Sequence, residues 1–180
     1  PYSYQINRVQ VSSHSRHMIA LQRKETILEL IRNFDPDVLD INIASFRGFR
    51  PGVNIVHRKL GAAPLSVFGD ALRRAVLMAN TVYGLKGGGL LRLDELETGI
   101  HVSALEPVFS WLTTMARDLG VQVIATTHSL EAVDAILRST PSSDDVVTYH
   151  LEDTDGRTNV KRIPGGLARR LREERGLDVR

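Results

Sequence analysis

The stretch Gly88-Gly89-Leu90-Leu91-Arg92-Leu93-Asp94-Glu95 constrains the fold more than any other. An apolar run of strand length stops at two adjacent carboxylates. A turn signal at Thr98-Gly99 and then a helical pattern follow. A short apolar run of this kind reads as a strand buried in a parallel sheet. Open α/β sheets gather their ligands at the carboxyl ends of such strands, so Asp94 and Glu95 are expected at the mouth of a site. Neighbours on a strand point to opposite faces. Two acids with different aims suit two tasks, one on a metal ion and one on a water molecule. The same residues also read as an acidic strand-to-loop transition on a solvated edge, and the pair alone leaves both readings open.

The rest of the chain supplies a frame for that strand. Tyr2 to Val11 alternates in part and reads as a strand, followed by a polar connection at Ser12 to Arg16. Arg23 to Phe34 carries Ile27, Leu28, Leu30, Ile31 and Phe34 at helical spacing, and Pro36 stops that helix. Strands are expected around Leu39, Ile41 and Ile43 and from Val53 to Arg58, with a turn at Arg50-Pro51-Gly52 between them. Gly61 to Pro64 reads as a loop. A helix follows through Val76, Leu77, Ala79, Val82 and Tyr83, with Asp70 placed to cap it. Ser66 and Gly69 precede that helix, whose N-terminus favours an anion, although such stretches also serve simply as caps.

Residues 102–118 have Leu105, Val108, Phe109, Leu112 and Met115 at core spacing, and Trp111 reads as packing. Gly120 ends that helix. Val121 to Ala125 is a second buried strand, closed by Thr126-Thr127-His128-Ser129, and a helix runs from about Leu130 to Arg138. Strand, helix and strand make a βαβ unit. It puts His128 at the same carboxyl edge as Asp94 and Glu95. Val146–Leu151 and Val160–Ile163 flank Asp155-Gly156, a hairpin signal. A basic helix over residues 164–175 closes the pattern.

Composition narrows the class. There are 23 basic and 21 acidic residues, a net charge of +2, too balanced to argue for nucleic acid by itself. The basic group Arg169-Arg170-Leu171-Arg172 reads as a solvated helix face. Without cysteine there is no disulfide framework or thiolate metal site. No His-x-x-x-His spacing falls on an expected helix, which speaks against zinc, and His14, His17, His57 and His101 read as ordinary polar residues. No apolar run approaches the roughly 20 residues of a membrane span, and no signal peptide is visible. A cytoplasmic setting without membrane contact is the expectation. The chain opens at Pro1 rather than Met, as a processed or truncated product would.

Four features occur in fixed order: Ser66-x-x-Gly69 opening a helix, Asp94-Glu95 after an apolar strand, the turn Thr98-Gly99-Ile100-His101, and Thr127-His128-Ser129 after the next strand. This order resembles the C-terminal half of an ATP-binding-cassette-type P-loop ATPase. In detail it is similar to the bacterial ATPases related to the overcoming-lysogenization-defect nucleases and the RecF-like repair ATPases. The similarity rests on Gly69-Asp70-x-x-Arg73-Arg74, Leu93-Asp94-Glu95-x-Glu97-x-Gly99-x-His101, and Val121-Gln122-Val123 with Thr126-Thr127-His128-Ser129. It covers roughly residues 61–180, which makes residues 1–60 an accessory strand-and-helix portion.

The resemblance implies an α/β fold, a mostly parallel sheet with flanking helices. It implies ATP and Mg²⁺ as cofactors. Asp94 would be the Walker B acid that holds Mg²⁺, Glu95 would orient or deprotonate the attacking water, and His128 would contact the γ-phosphate. Ser66 and Gly69 would match the signature motif that reaches nucleotide on a partner molecule, with Asp70 and Arg73 in the same stretch. Gly99 and His101 would lie in the loop that couples two sites across an ATP-dependent homodimer. Such chemistry needs positioning and charge neutralisation more than covalent catalysis.

Two departures matter. The chain has no Gly-x-x-x-x-Gly-Lys-Ser/Thr loop; Gly87-Gly88-Gly89 precedes a strand, and Lys86 comes before those glycines. The phosphate cradle is therefore expected upstream, in a missing N-terminal half. Ala71 also stands where the subgroup usually has a glycine. Two other classes stay open: a catalytically silent dimerisation module, and the ATPase regulator of a nuclease that acts on DNA in repair or phage defence. No Toprim-like acid cluster occurs in the chain, so a nuclease centre would lie elsewhere.

Overall fold

The computed structural model describes residues 24–44 and 52–179. The expected strand at Tyr2–Val11, the polar connection after it, His14, His17 and the turn at Arg50-Pro51 lie outside the described residues. The chain divides into two compact units, residues 1–87 and 88–180.

In the first unit, helix α1 (Lys24–Arg32) buries Ile27, Leu28, Leu30 and Ile31 on one stripe. It gives way at Asn33 and Phe34 to a turn before Pro36, two residues earlier than the sequence pattern suggests. Strands β1 (Val38–Ala44) and β2 (Gly52–His57) pair antiparallel. Residues Gly61–Pro64, expected as a loop, form a third strand, β3, paired antiparallel to β2. The residues are small and carry no apolar alternation, so the strand is specified by its backbone pairing rather than by pattern. Helix α1 packs against β1 and against helix α2 (Asp70–Gly84). A single 3₁₀ turn at Leu65–Val67 leads into α2.

The second unit holds the candidate site. Strand β4 (Gly89–Leu93) pairs in parallel with β5 (Val121–Ala125), Leu91 opposite Val123. Between them runs helix α3 (Val102–Leu119), which ends at Gly120 in the left-handed conformation. Helix α3 packs along β5 and along α4 (Leu130–Ser139). The sequence expects strands buried on both faces, and these are buried on one. Leu91 and Val121 are buried, while Leu90 and Ile124, on the opposite face with Arg92 and Gln122, are 46% and 52% exposed.

Strands β6 (Val147–Thr154) and β7 (Arg157–Pro164) form the expected hairpin. Asp155 and Gly156 both take positive φ, at 52° and 72°, as a two-residue turn of matching twist requires. Helix α5 (Gly165–Arg175) closes over a cluster of Val133, Leu137, Ile163, Ala168 and Val179. The fold is α/β with five described helices, and among the described residues β4–β5 is the only parallel pair. No helix among them is long and apolar enough to cross a membrane.

Candidate functional site

The acids lie one step beyond where strand alternation would aim them. Strand β4 ends at Leu93, so Asp94 and Glu95 occupy the turn that follows. Their separate aims come from the backbone: Glu95 has φ +46°, in the left-handed region that non-glycine residues seldom enter. Both acids are exposed.

The loop after β4 is tied to the loop after β5 by backbone and side chain together. The Thr126 N–H donates to the Leu93 carbonyl at 3.0 Å, and the Leu96 N–H donates to the Thr126 carbonyl at 2.9 Å. The Thr126 hydroxyl donates to Asp94 Oδ1 at 2.6 Å and accepts the Glu95 N–H at 2.9 Å. In return, Glu97 Oε1 accepts the His128 N–H at 3.2 Å. Glu95 Oε2 accepts the Thr98 hydroxyl at 2.9 Å. Asp94, Glu95, Glu97, Thr126 and His128 thus belong to one bonded network at the carboxyl edge of the parallel pair.

The flanking turns are built by the same residues that carry the motif. Gly99 has φ +78°. His101 is the N-cap of α3, its Nδ1 accepting the Ser103 N–H at 3.3 Å. Ser129 caps α4 by accepting the Ala132 N–H at 3.1 Å, which fixes the residue after His128.

The signature-like stretch belongs to the first unit. Ser66 is exposed within the 3₁₀ turn, and Gly69, not Asp70, is the N-cap of α2. No side chain caps that helix end. Asp70 is instead the first helical residue and pairs with Arg73 one turn on, a bond that competes with capping.

The sequence pattern passed over three residues that the geometry brings forward. Thr126 and Glu97 stand inside the motif but link the loops only through tertiary contacts, for which no spacing rule exists. His57 gathers with Asp35 and Asp37 in the first unit, close enough to hold a cation. The protein's own groups already satisfy that cluster. His57, 7% exposed, accepts the Lys59 and Leu60 N–H groups at Nδ1 and faces Asp35 through Nε2 at 3.2 Å. Lys59 pairs with Asp37 at 2.6 Å, and that hydrogen bond holds the Asp37 carboxyl below its usual range. A metal-bound histidine donates its other ring N–H. Here the other nitrogen is an acceptor.

Residues 18–134 match the family described as "AAA domain, putative AbiEii toxin, Type IV TA system". An uncharacterized protein of Methanocaldococcus jannaschii is 31% identical over 113 residues, 62% of this chain and 98% of that protein. Among solved structures, a chain from work on ATP-driven dimerization and DNA-stimulated activation of SMC ATPases is similar at TM-score 0.54 and 12% identity. That match covers 92% of this chain and 98% of the other. An Smc head domain with an extended coiled coil, bound to the C-terminal domain of ScpA and derived from Pyrococcus furiosus, is similar at TM-score 0.53 and 13% identity. This match covers 84% of the chain and spans 37% of the Smc chain. At these identities the likeness is one of fold, the fold of SMC ATPase heads.

Proposed function

The chain belongs to this AAA-domain family, and from that premise we propose that it is the C-terminal half of an ATPase that binds and hydrolyses ATP together with an upstream, P-loop-bearing half. The observation that carries the proposal is the bonded network joining Asp94 and Glu95 to the His128 loop at the carboxyl edge of β4–β5. In this reading residues 61–180 form the ATPase half and residues 1–60 an accessory portion.

The bare face of the parallel pair supports the division into halves. Parallel sheets are covered on both faces, yet Leu90, Arg92, Gln122 and Ile124 stand exposed. Helices and further parallel strands of an N-terminal half would cover them and complete a mostly parallel sheet.

The donor set fits Mg²⁺. The Asp94 carboxylate, with the Glu95 carboxylate beside it, offers the hard oxygen groups this ion takes, directly or through water, and the Thr126 hydroxyl is bonded to Asp94 Oδ1 behind them. When bound, the ion neutralises charge on the phosphates. Asp94 would hold it. Glu95 would orient the attacking water and accept its proton. His128 would meet the γ-phosphate from the neighbouring loop.

Ser66 and Gly69, at an uncapped helix end, would receive phosphate from nucleotide held by a second molecule. Asp70 and Arg73, paired beside it, would shape that contact, and Gly99 and His101 would carry the state of one site to the other. The comparison with an SMC ATPase described by ATP-driven dimerization is consistent with such a homodimer.

Calorimetry with Mg-ATP on the 180-residue chain tests the division of labour. The expected result is no binding in the micromolar range, because the phosphate cradle is elsewhere. Micromolar affinity would contradict the proposal.

A further inference from the structure

We infer that Thr126 is the positioning residue of this site, a single hydroxyl that aims both acids; the inference rests on the ATPase reading of Asp94 and Glu95. Its backbone is fixed on both sides, N–H to the Leu93 carbonyl and carbonyl to the Leu96 N–H. The branched side chain has few rotamers, so the hydroxyl has a defined place at the end of β5. It makes two bonds of opposite sense. Its one proton goes to Asp94 Oδ1 at 2.6 Å, a short bond of the charge-assisted kind. Its oxygen accepts the Glu95 N–H at 2.9 Å.

The two bonds act on the two acids differently. Asp94 is gripped at its carboxylate, so one oxygen is fixed and the other is turned in a set direction. Glu95 is gripped at its backbone, where the left-handed φ of +46° needs an external hold to persist in a non-glycine residue. Loss of the hydroxyl would remove one hold on the metal-holding carboxylate and one on the backbone that aims the water-activating carboxylate, both at once. A hydroxyl bonded to a metal-ligating carboxylate belongs to the layer that orients the ligands. Thr126 itself touches no reacting atom in this scheme.

The test is Thr126→Val, which keeps the shape and removes the hydroxyl, with Thr126→Ser as the conservative control. Amide hydrogen exchange on the 180-residue chain is expected to speed up at Glu95 by about 3- to 10-fold in the valine variant. Leu96, bonded to the Thr126 backbone carbonyl, is expected to stay unchanged, and serine to restore Glu95. In the complete ATPase, the Mg²⁺ concentration for half-maximal turnover should rise about 10- to 100-fold with valine. Nucleotide affinity without Mg²⁺ should stay as in wild type. Unchanged exchange at Glu95, or an unmoved Mg²⁺ requirement, would overturn the inference while leaving the ATPase reading in place. A complete protein that turns over no ATP would instead defeat that reading, and the exchange at Glu95 would still decide whether Thr126 holds the turn.

Discussion

Glu97 reaches across from the loop after β4 to receive the His128 N–H at 3.2 Å, and its other carboxylate oxygen is buried without a hydrogen bond among the described residues. One oxygen therefore does the structural task, and the other is held away from water with no hydrogen-bond partner among the described residues. That is an unfavourable arrangement for a charge.

Two substitutions separate these effects. Glu97→Gln keeps the acceptor and removes the charge, so His128 should stay protected in amide exchange, with stability equal to or above wild type. Glu97→Ala removes the acceptor, so exchange at His128 should accelerate. In the complete ATPase the alanine variant should lose about tenfold in turnover, the order expected for one lost hydrogen bond. Equal exchange at His128 in the two variants would show that Glu97 does not hold that loop.

Gly165 marks a tight backbone approach in the second unit. A Cβ there would sit 2.3 Å from the Ser143 carbonyl oxygen and 2.7 Å from that of Val146. Both are backbone atoms, and the Gly165 N–H already bonds Val146. Gly165→Ala should destabilise the second unit by about 1–3 kcal/mol. Gly166→Ala meets only the Ser143 side chain, at 3.4 Å, and should stay near wild type. Urea unfolding monitored at Trp111 is the measurement, and equal midpoints for the two would refute the packing argument.

Arg172 grips Asp134 with two bonds, Nε to Oδ1 at 2.7 Å and Nη2 to Oδ2 at 2.9 Å, and joins α5 to α4. That hydrogen bonding holds the Asp134 carboxyl below its ordinary value of 3.8 and raises the guanidinium. With the folded value depressed, the unfolded chain takes up the proton first as pH falls. The bridge's stabilisation is therefore fully present well above 3.8 and is lost as pH falls through the folded value. Asp134→Asn should flatten the loss of stability in that acid range and leave the shape of the neutral range unchanged. Parallel acid limbs in wild type and variant would remove Asp134 from the account.

The sequence made the elements of the second unit readable because each has its own local signal. Asp155-Gly156 requires positive φ at both turn residues, Gly120 stops α3, and apolar spacing marks α3 and α4. What stayed hidden depends on partners far along the chain. Gly61–Pro64 becomes a strand only because β2 lies beside it. Leu90 and Ile124 look like buried strand residues, since pattern cannot tell which face finds a cover. In the site, Asp94, Glu95 and His128 were legible as residue types at strand ends. The parts played by Thr126 and Glu97 were not, because bonds across 31 or 32 residues of chain leave no spacing to read.

Ser66 and Gly69 carry the prediction of a shared site. The Glu95→Gln form of the complete ATPase should dimerise with Mg-ATP in sedimentation. Adding Ser66→Arg should block that closure by bulk at the helix end, despite its favourable charge. Equal dimerisation of the double variant would reduce this stretch to a helix start.

The most direct measurement is single-turnover hydrolysis of Mg-ATP by the complete protein, wild type against Glu95→Gln, with nucleotide binding measured on the same samples. An amide cannot accept the proton of the attacking water, so the variant should hydrolyse about 10²–10⁴-fold more slowly, with affinity for ATP retained. Hydrolysis by Glu95→Gln at the wild-type rate would contradict the assignment of this acid pair as the catalytic end of the ATPase.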